Sequence, residues 1–457
     1  MQSRRASITM GVEHMRGFSN EIILKRTLTL SDFTLRYHKR GITALQVIKA
    51  PSVSNVPVLL SGDNYGYFVM WDLVTKRPIT HIEIEGNSHI IAFWWVETTN
   101  VLYILSKDSM LRIFELDSST QLSIDLVRKL SQANKTDHLQ WTKIYEMPIN
   151  TLNFANFIIE AEVKPTKDNK SYRLVCCHTD DSETIDIYQI IEDSTFKLKR
   201  PFNNINFPRF LKQQNFLGIS KDSKFGIIMR FAKLNDVIFL GYENGFVVGF
   251  KITFDEGLQR DIAELVHVSN DHYPNPILDM CVSGDELYSC STDDFITKYK
   301  IPVNLQLETK YLRDDALLIK CPSSLRVSEP SKVHLPLKNI GHIDKVKDDY
   351  LVVSSWSGMT IVYNMRTSEV EQTFVKSKNN LVVSDSSMGD LTNGSGSNTE
   401  SSSKSHNYKV GAMTCLESFD VQSDGLRLGQ LRRIKALAKC NWCLIGYEDG
   451  TIKLNKI

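Results

Sequence analysis

The sequence has no apolar run long enough to cross a bilayer as a helix, and no secretory apolar segment precedes its first strand-like stretch. An intracellular protein is expected. Its formal net charge is only +1 over 457 residues, so no global field draws it to nucleic acid or to an anionic membrane. The motifs of common chemistries are missing as well: there is no Gly-x-Ser-x-Gly elbow, P-loop, Rossmann fingerprint or His-Glu-x-x-His. Eleven histidines are scattered without ligand spacing, and eight cysteines with no secretory segment are expected to stay reduced. Cys440-Asn441-Trp442-Cys443 is a lone CxxC, without the second pair or nearby histidines of a zinc site. It reads as one turn cysteine and one buried strand cysteine. Cys176 and Cys177 adjoin on a strand, where neighbours face opposite sides. No catalytic, cofactor-binding or metal-binding residue is expected, and the protein is not expected to be an enzyme.

What is present is a repeated hairpin. Leu59 to Leu73 sets two apolar runs around a polar turn with Gly66 and ends in Trp71-Asp72. The same pattern returns at Leu102 to Leu116, Arg173 to Ile190, Val237 to Ile252, Glu286 to Ile301, Tyr350 to Met365 and Trp442 to Ile457. Each copy carries a turn residue five positions before the equivalent of Trp71. A lone hairpin with alternating faces cannot bury itself, so seven copies must stack. The Trp-Asp ending is the mark of a WD-repeat propeller blade. His38 stands where such repeats carry a histidine that bonds the turn aspartate of the next hairpin. His38, Asp63, Trp71 and Asp72 are therefore read as structural. Gly341-His342 is the other match, although Trp356-Ser357 replaces the turn aspartate of its hairpin.

A blade needs a third and a fourth strand. Short apolar runs before the hairpins supply inner strands at Ile42 to Ile48, Ile90 to Val96, Ile149 to Phe154, Phe225 to Phe231, Ile277 to Val282, Ile340 to Val346 and Ile434 to Ala438. The last hairpin lacks an outer strand after it, and Asp32 to His38 can provide one, which would close the ring and remove its open edge. The expected fold is all-β, a seven-bladed WD-repeat β-propeller closed by an N-terminal strand, with long loop insertions. Residues 1–17 read as a disordered leader and 18–457 as one propeller. Ile79 to Ile84 reads as the outer strand of the first blade, and Ser123 to Leu130 as that of the second. Of the adjacent Trp94 and Trp95, one is expected to pack between blades and the other to be partly exposed.

Three insertions interrupt the pattern. Glu192 to Ser220 carries Phe202, Phe207 and Phe210 among prolines, which excludes a central strand. These phenylalanines are the candidate partner-binding anchors, on the expectation that they are exposed. Val303 to Leu337, which follows Pro302, mixes three further prolines with short apolar pieces. Lys376 to Asn407 is Ser-rich, with almost nothing to bury, and is expected to be flexible; Gly411 to Glu417 after it reads as the outer strand of the sixth blade.

Gly41 to Leu45 and Leu60 to Leu73 closely resemble the opening of the fungal ASTRA-associated WD-repeat family, related to guanine-nucleotide-binding-protein β-subunit-like proteins. Gly446 to Ile452 is similar too, and the likeness covers Met15 to Ile457. The resemblance implies a non-catalytic subunit of the nuclear ASTRA assembly, linked to chromatin remodelling and, through co-chaperone components, to maturation of phosphatidylinositol-3-kinase-related kinases. Implied partners are AAA+ ATPases, a kinase-related giant subunit and co-chaperone proteins in the nucleus, with the cytoplasm as a second location, and without direct nucleic acid or membrane. A different class of function, a reader of modified peptides at the channel mouth, would require aromatic or acidic side chains converging there.

Overall fold

The computed structural model describes residues 32–457 apart from 50–53, 55, 98, 117–140, 162–169, 193–195, 214–218, 220, 301–309, 314–317, 322–329, 348, 379–406 and 422–426. The leader 1–17, the stretch 123–130 and most of the Ser-rich insertion lie outside the described residues. The first short strand is β1 (Phe33–Arg36). Blade one follows as β2 (Ile42–Ile48), β3 (Val58–Asp63), β4 (Tyr67–Asp72) and β5 (Arg77–Glu83). Blade two is β6 (Ile90–Val96), β7 (Val101–Ser106), β8 (Met110–Leu116) and β9 (Trp141–Pro148). Blade three is β10 (Ile158–Ala161), β11 (Lys170–Cys177), β12 (Ile185–Glu192) and β13 (Phe196–Ile205). Blade four contains β14 (Ile228–Leu234), β15 (Val237–Tyr242), β16 (Val247–Asp255) and β17 (Arg260–Ser269). Blade five opens with β18 (Asp279–Ser283), β19 (Glu286–Cys290) and β20 (Phe295–Lys300). The chain then turns back through β21 (Lys310–Arg313) and β22 (Leu318–Cys321) before β23 (Ser331–His334) completes that blade. Blade six is β24 (Ile340–Val346), β25 (Tyr350–Ser355), β26 (Met359–Asn364) and β27 (Glu369–Val375). Blade seven is β28 (Val410–Leu416), β29 (Trp442–Tyr447), β30 (Thr451–Lys456) and the returning β1.

Burial follows position in the blade. The second strands β3, β7, β15 and β29 are buried at every residue, because each is covered by a neighbouring blade on both faces. The outer β5 is mostly exposed. Period-2 alternation sends each face to a different core: Leu60, Phe68 and Met70 pack with Phe93 and Leu102 of blade two, while Leu59, Val69 and Trp71 pack with Leu444 and Ile452 of blade seven. Ring closure is antiparallel, with Phe33 opposite Leu454 and Arg36 opposite Thr451. The Asp32 carboxylate also accepts the Lys456 N–H at 2.9 Å.

Several expected elements are corrected. Ile149 to Phe154 is a turn, not an inner strand: Asn150 Oδ1 accepts the Leu152 N–H, Asn153 Oδ1 accepts the Ala155 N–H, and these local bonds draw the backbone out of strand geometry. The inner strand of blade three is β10. Ile434 to Ala438 belongs to the helix Leu428–Ala438, whose buried Ile434, Leu437 and Ala438 recur at helical spacing. The segment read as an outer strand of blade six, Gly411 to Glu417, instead contributes β28, the inner strand of blade seven. Blade two takes β9 as its outer strand, paired along β8. In the proline-rich insertion, β13 is an outer strand whose register shifts around Pro201, where the missing N–H costs no ladder bond. The hairpin β21–β22 does not extend its own blade. It joins blade four, β22 lying parallel to β17, and makes that sheet six-stranded.

The ends of the Ser-rich insertion meet. Ser377 and Asn407 form an antiparallel bridge, and the Tyr408 N–H donates to the Lys376 carbonyl at 2.8 Å. Trp95 is buried and packs edge-on against Trp141, whereas Trp94 is half-buried and lines the ring axis.

Candidate functional site

Five inner strands carry a register shift after their first residue, between Ile42 and Ala44, Ile90 and Ala92, Ile228 and Arg230, Ile340 and His342, and Val410 and Ala412. The second residue of each pair lines the axial channel together with Asp279 of β18, around a cavity of ≈ 230 Å³. The lining is lopsided. Blades one, two and seven present alanines, whereas blades four, five and six present Arg230, Asp279 and His342.

Arg230 Nε lies 2.8 Å from Asp279 Oδ1 and His342 Nδ1 lies 4.0 Å from Asp279 Oδ2. Asp279 also accepts the N–H groups of Met280 at 2.9 Å and Ile343 at 3.2 Å, tying blade five to blade six. Desolvation lowers the pKa of His342, against the pull of Asp279. Asp344 repeats the device one blade on, accepting N–H groups from Lys345 and Cys415, each at 2.8 Å. Burial lifts its pKa to about 6, against those two backbone bonds. Asn156 accepts the Phe231 N–H at 2.7 Å and donates to the Phe231 carbonyl at 3.0 Å, and Thr43 Oγ1 donates to the Ile90 carbonyl at 2.6 Å. These channel groups therefore staple neighbouring blades.

The described residues hold no cluster of three or more His, Cys, Asp or Glu able to bind a metal. Burial pushes the Cys177 thiol up to about 12 and the Cys415 thiol well above the usual range, which disfavours the nucleophilic thiolate. Cys176 and Cys177 face different cores, and Cys443 is buried on β29 while Cys440 is half-buried in the turn before it.

The structural quartet of blade one is connected bond by bond. His38 Nδ1 is 2.9 Å from Asp63 Oδ2 and Nε2 is 2.7 Å from Ser61 Oγ, which also accepts the Trp71 indole N–H at 2.7 Å. A proton on Nδ1 for the carboxylate and the Ser61 hydroxyl donating to Nε2 satisfies every one of these atoms. Asp63 Oδ1 takes the N–H groups of Tyr65 and Tyr67, holding the turn. Asp72 is separate: it accepts the Val74 N–H and the Thr75 hydroxyl and shapes the turn into β5.

A second set of this kind occurs in blade five, which sequence reasoning missed. His272 Nδ1 is 2.7 Å from Asp293 Oδ2, and Nε2 is 3.0 Å from Ser289 Oγ. The signal was available, since Ser289 precedes Tyr299 by the same ten positions that separate Ser61 from Trp71. The Gly-His match at His342 misled because that residue lies on an inner strand facing the channel.

Phe202, Phe207 and Phe210 are not surface anchors. They are 7%, 0% and 3% exposed, in the core shared by blades three and four, where the Phe207 ring lies 4.7 Å from that of Phe250. The helix Phe207–Gln213 turns Phe207 and Phe210 inward, and Phe202 enters the same core from β13.

Several of the exposed apolar side chains share the face where each second-to-third-strand turn meets the connections between blades. Tyr65, Leu152, Phe154, Tyr273 and Trp356 stand there. The Leu152–Phe154 turn is rigidly held. Lys107 Nζ donates to the carbonyls of Thr151 at 2.7 Å and Leu152 at 3.0 Å and lies 3.5 Å from the centre of the Phe154 ring. His89 packs edge-on against the same ring at 5.3 Å, and Phe154 adopts φ +58°, a conformation that non-glycine residues take only when their surroundings enforce it. Leu152 is left 75% exposed. An apolar side chain displayed on a clamped turn can bury itself in a partner at little ordering cost.

Residues 31–455 match the family described as ASTRA-associated protein 1. The protein of that name from Zygosaccharomyces rouxii is 34% identical over 94% of this chain and 99% of its own. The one from Lachancea thermotolerans is 34% identical over 92% of this chain and 96% of its own. Among solved structures, the crystal structure of Saccharomyces cerevisiae Sqt1 covers 93% of this chain and 98% of its own, at 11% identity and a TM-score of 0.48.

Proposed function

Because this chain belongs to the ASTRA-associated protein 1 family, we propose that it is a non-catalytic scaffold subunit of the ASTRA complex. In this reading it serves chromatin remodelling and co-chaperone-assisted maturation of phosphatidylinositol-3-kinase-related kinases in the nucleus. Its partners are AAA+ ATPases, a kinase-related giant subunit and co-chaperone proteins. The observation that carries the proposal is the family match from residue 31 to 455, which runs through all seven blades. It is supported by a ring in which Asp279, Asp344 and Asn156 join neighbouring blades and by a face on which a clamped turn displays Leu152.

A reader of modified peptides is the less favoured reading. Such a site needs rings converging on one point, whereas Phe154 contacts His89 and Tyr273 contacts Phe246, each next to its own blade connection. Affinity purification of the tagged protein with mass spectrometry tests the scaffold proposal. Stoichiometric recovery of the ATPases, the giant kinase-related subunit and co-chaperones is expected, and recovery of the propeller alone overturns it. Leu152→Asp is expected to deplete at least one of these partners at unchanged melting temperature. Full recovery with this variant removes the Leu152 turn from the interface.

A further inference from the structure

On the opposite face, the helix Leu428–Ala438 connects β28 to β29 and sits over the junction of blades seven and one. It is firmly docked: Ile434 and Leu437 are buried with Trp71, Leu73 and Trp442, Ala438 is buried beside them in sequence, and the Trp442 indole N–H donates to the Leu437 carbonyl at 2.8 Å. Its outer surface is one-sided in charge. From Arg427 to Lys439 the chain has five basic residues, Arg427, Arg432, Arg433, Lys435 and Lys439, and no acidic one, within a protein of 54 basic and 53 acidic residues. All five are exposed, and none of their side chains forms an ion pair with a carboxylate of the described residues.

Such an arrangement costs the free protein stability. Arg432 and Lys435 stand at i, i+3 and Lys435 and Lys439 at i, i+4, spacings at which like charges repel. Arg427 at the helix start also opposes its dipole, and the first turn holds no acidic residue to offset it, while Lys435 in the last turn suits the dipole. Blade one adds a further cation: Lys76 has its pKa lowered by desolvation, with Arg433 repelling it and Asp72 acting the other way. Lys76 Nζ lies 3.5 Å above the ring of half-exposed Phe33, whose other neighbour is Trp442. Leu428, at the start of the helix, is 75% exposed.

We infer that this basic helix and the adjoining Lys76–Phe33 corner form a docking surface for an acidic, Asp/Glu-rich peptide segment of a protein partner that also carries apolar side chains. Charge complementarity selects the anion. Extent and composition favour a peptide over nucleic acid. An 11-residue helix spans about 16 Å, the reach of about five residues of extended chain. The exposed carboxylate of Asp420 shares a surface depression with Lys435 and Lys439 at one edge of the patch, which would interrupt a longer phosphate track. Exposed Leu428 and Phe33 offer apolar contacts that a phosphate backbone would not use.

The inference does not depend on the ASTRA assignment, because it is read with the full-length protein and defined probes. Fluorescence anisotropy with a labelled peptide of alternating Glu and Leu at 0.05 and 0.15 M salt is compared with a peptide carrying Gln for Glu and with labelled duplex and single-stranded DNA. Binding of the Glu peptide that weakens with salt, and a loss of at least tenfold in Arg432→Glu/Arg433→Glu/Lys435→Glu, is expected. The matching triple Gln variant should lose affinity to an intermediate degree, and Lys224→Glu on the opposite face should lose none. The melting temperature of the triple Gln variant should match that of the parent, since it removes the like-charge pairs without placing an anion in the last helical turn. Equal affinity for the Gln peptide, unchanged binding in both triple variants, or tighter binding of either DNA at 0.15 M salt overturns the inference.

Discussion

Ser61 is the residue on which the blade-one quartet turns, because its single hydroxyl serves both the His38 imidazole and the Trp71 indole. Ser61→Ala leaves two buried polar groups without that partner, and an unsatisfied buried group costs about 1–3 kcal/mol. A fall in unfolding free energy of that size is expected in urea titration, with no change in partner recovery. Ser289→Ala, which breaks the equivalent bond in blade five, should add to it independently, since the two share no partner. Asp344 supplies the pH dependence. Its folded pKa, about 6, lies above the unfolded value of 3.8, so the native state holds the proton more tightly. The stability this contributes is fully present below about pH 4 and is lost as pH rises through 6. The stability difference between the parent and Asp344→Asn should therefore shift against the parent from pH 4.5 to pH 7; parallel curves would exclude this group.

At the scale of the element, the segment after blade three shows how far a proline-broken aromatic stretch can mislead. Prolines correctly exclude a central strand, but an outer strand with a register shift accommodates Pro201, and a seven-residue helix then carries Phe207 and Phe210 into the core. Phe207→Ala is expected to cost about 3–5 kcal/mol of stability, as large-to-small changes in packed cores do, and to reduce partner recovery only in proportion to the folded fraction. A variant that stays fully stable yet loses a partner would return this residue to the interface. The helix of blade seven was also legible in principle, since its apolar residues recur at helical rather than alternating spacing. The apolar run Ile434 to Ala438 hid it because its five residues are too few to separate the two periods.

At the scale of the molecule, the ring is closed by four residues of β1 whose partner strand is more than 400 positions away in sequence. Leu35 is 1% exposed and packs with Ile452 and Leu454. Leu35→Asp would bury an unpaired charge at the seam and release the edge of β30, the kind of free edge that pairs with other chains. A lower melting temperature and a shift to larger species in size-exclusion chromatography are expected. A monomeric variant of unchanged stability would mean that closure does not rest on this strand.

By itself the sequence determined the repeat and the ring: hairpins of alternating polarity recur seven times, and period-2 burial on both faces leaves stacking of blades as the way to cover them. It pointed to the seam too, because Asp32 to His38 reads as an outer strand ahead of the first blade, and β1 does pair with β30. Only the tertiary structure decided what faces solvent. Phe207 and Leu152 are both apolar residues in segments between blades, and local pattern cannot tell them apart; packing against Phe250 buries one, and a turn clamped by Lys107 displays the other. The lopsided channel and the joining of the β21–β22 hairpin to blade four were likewise decided by contacts between distant strands, which no local spacing records.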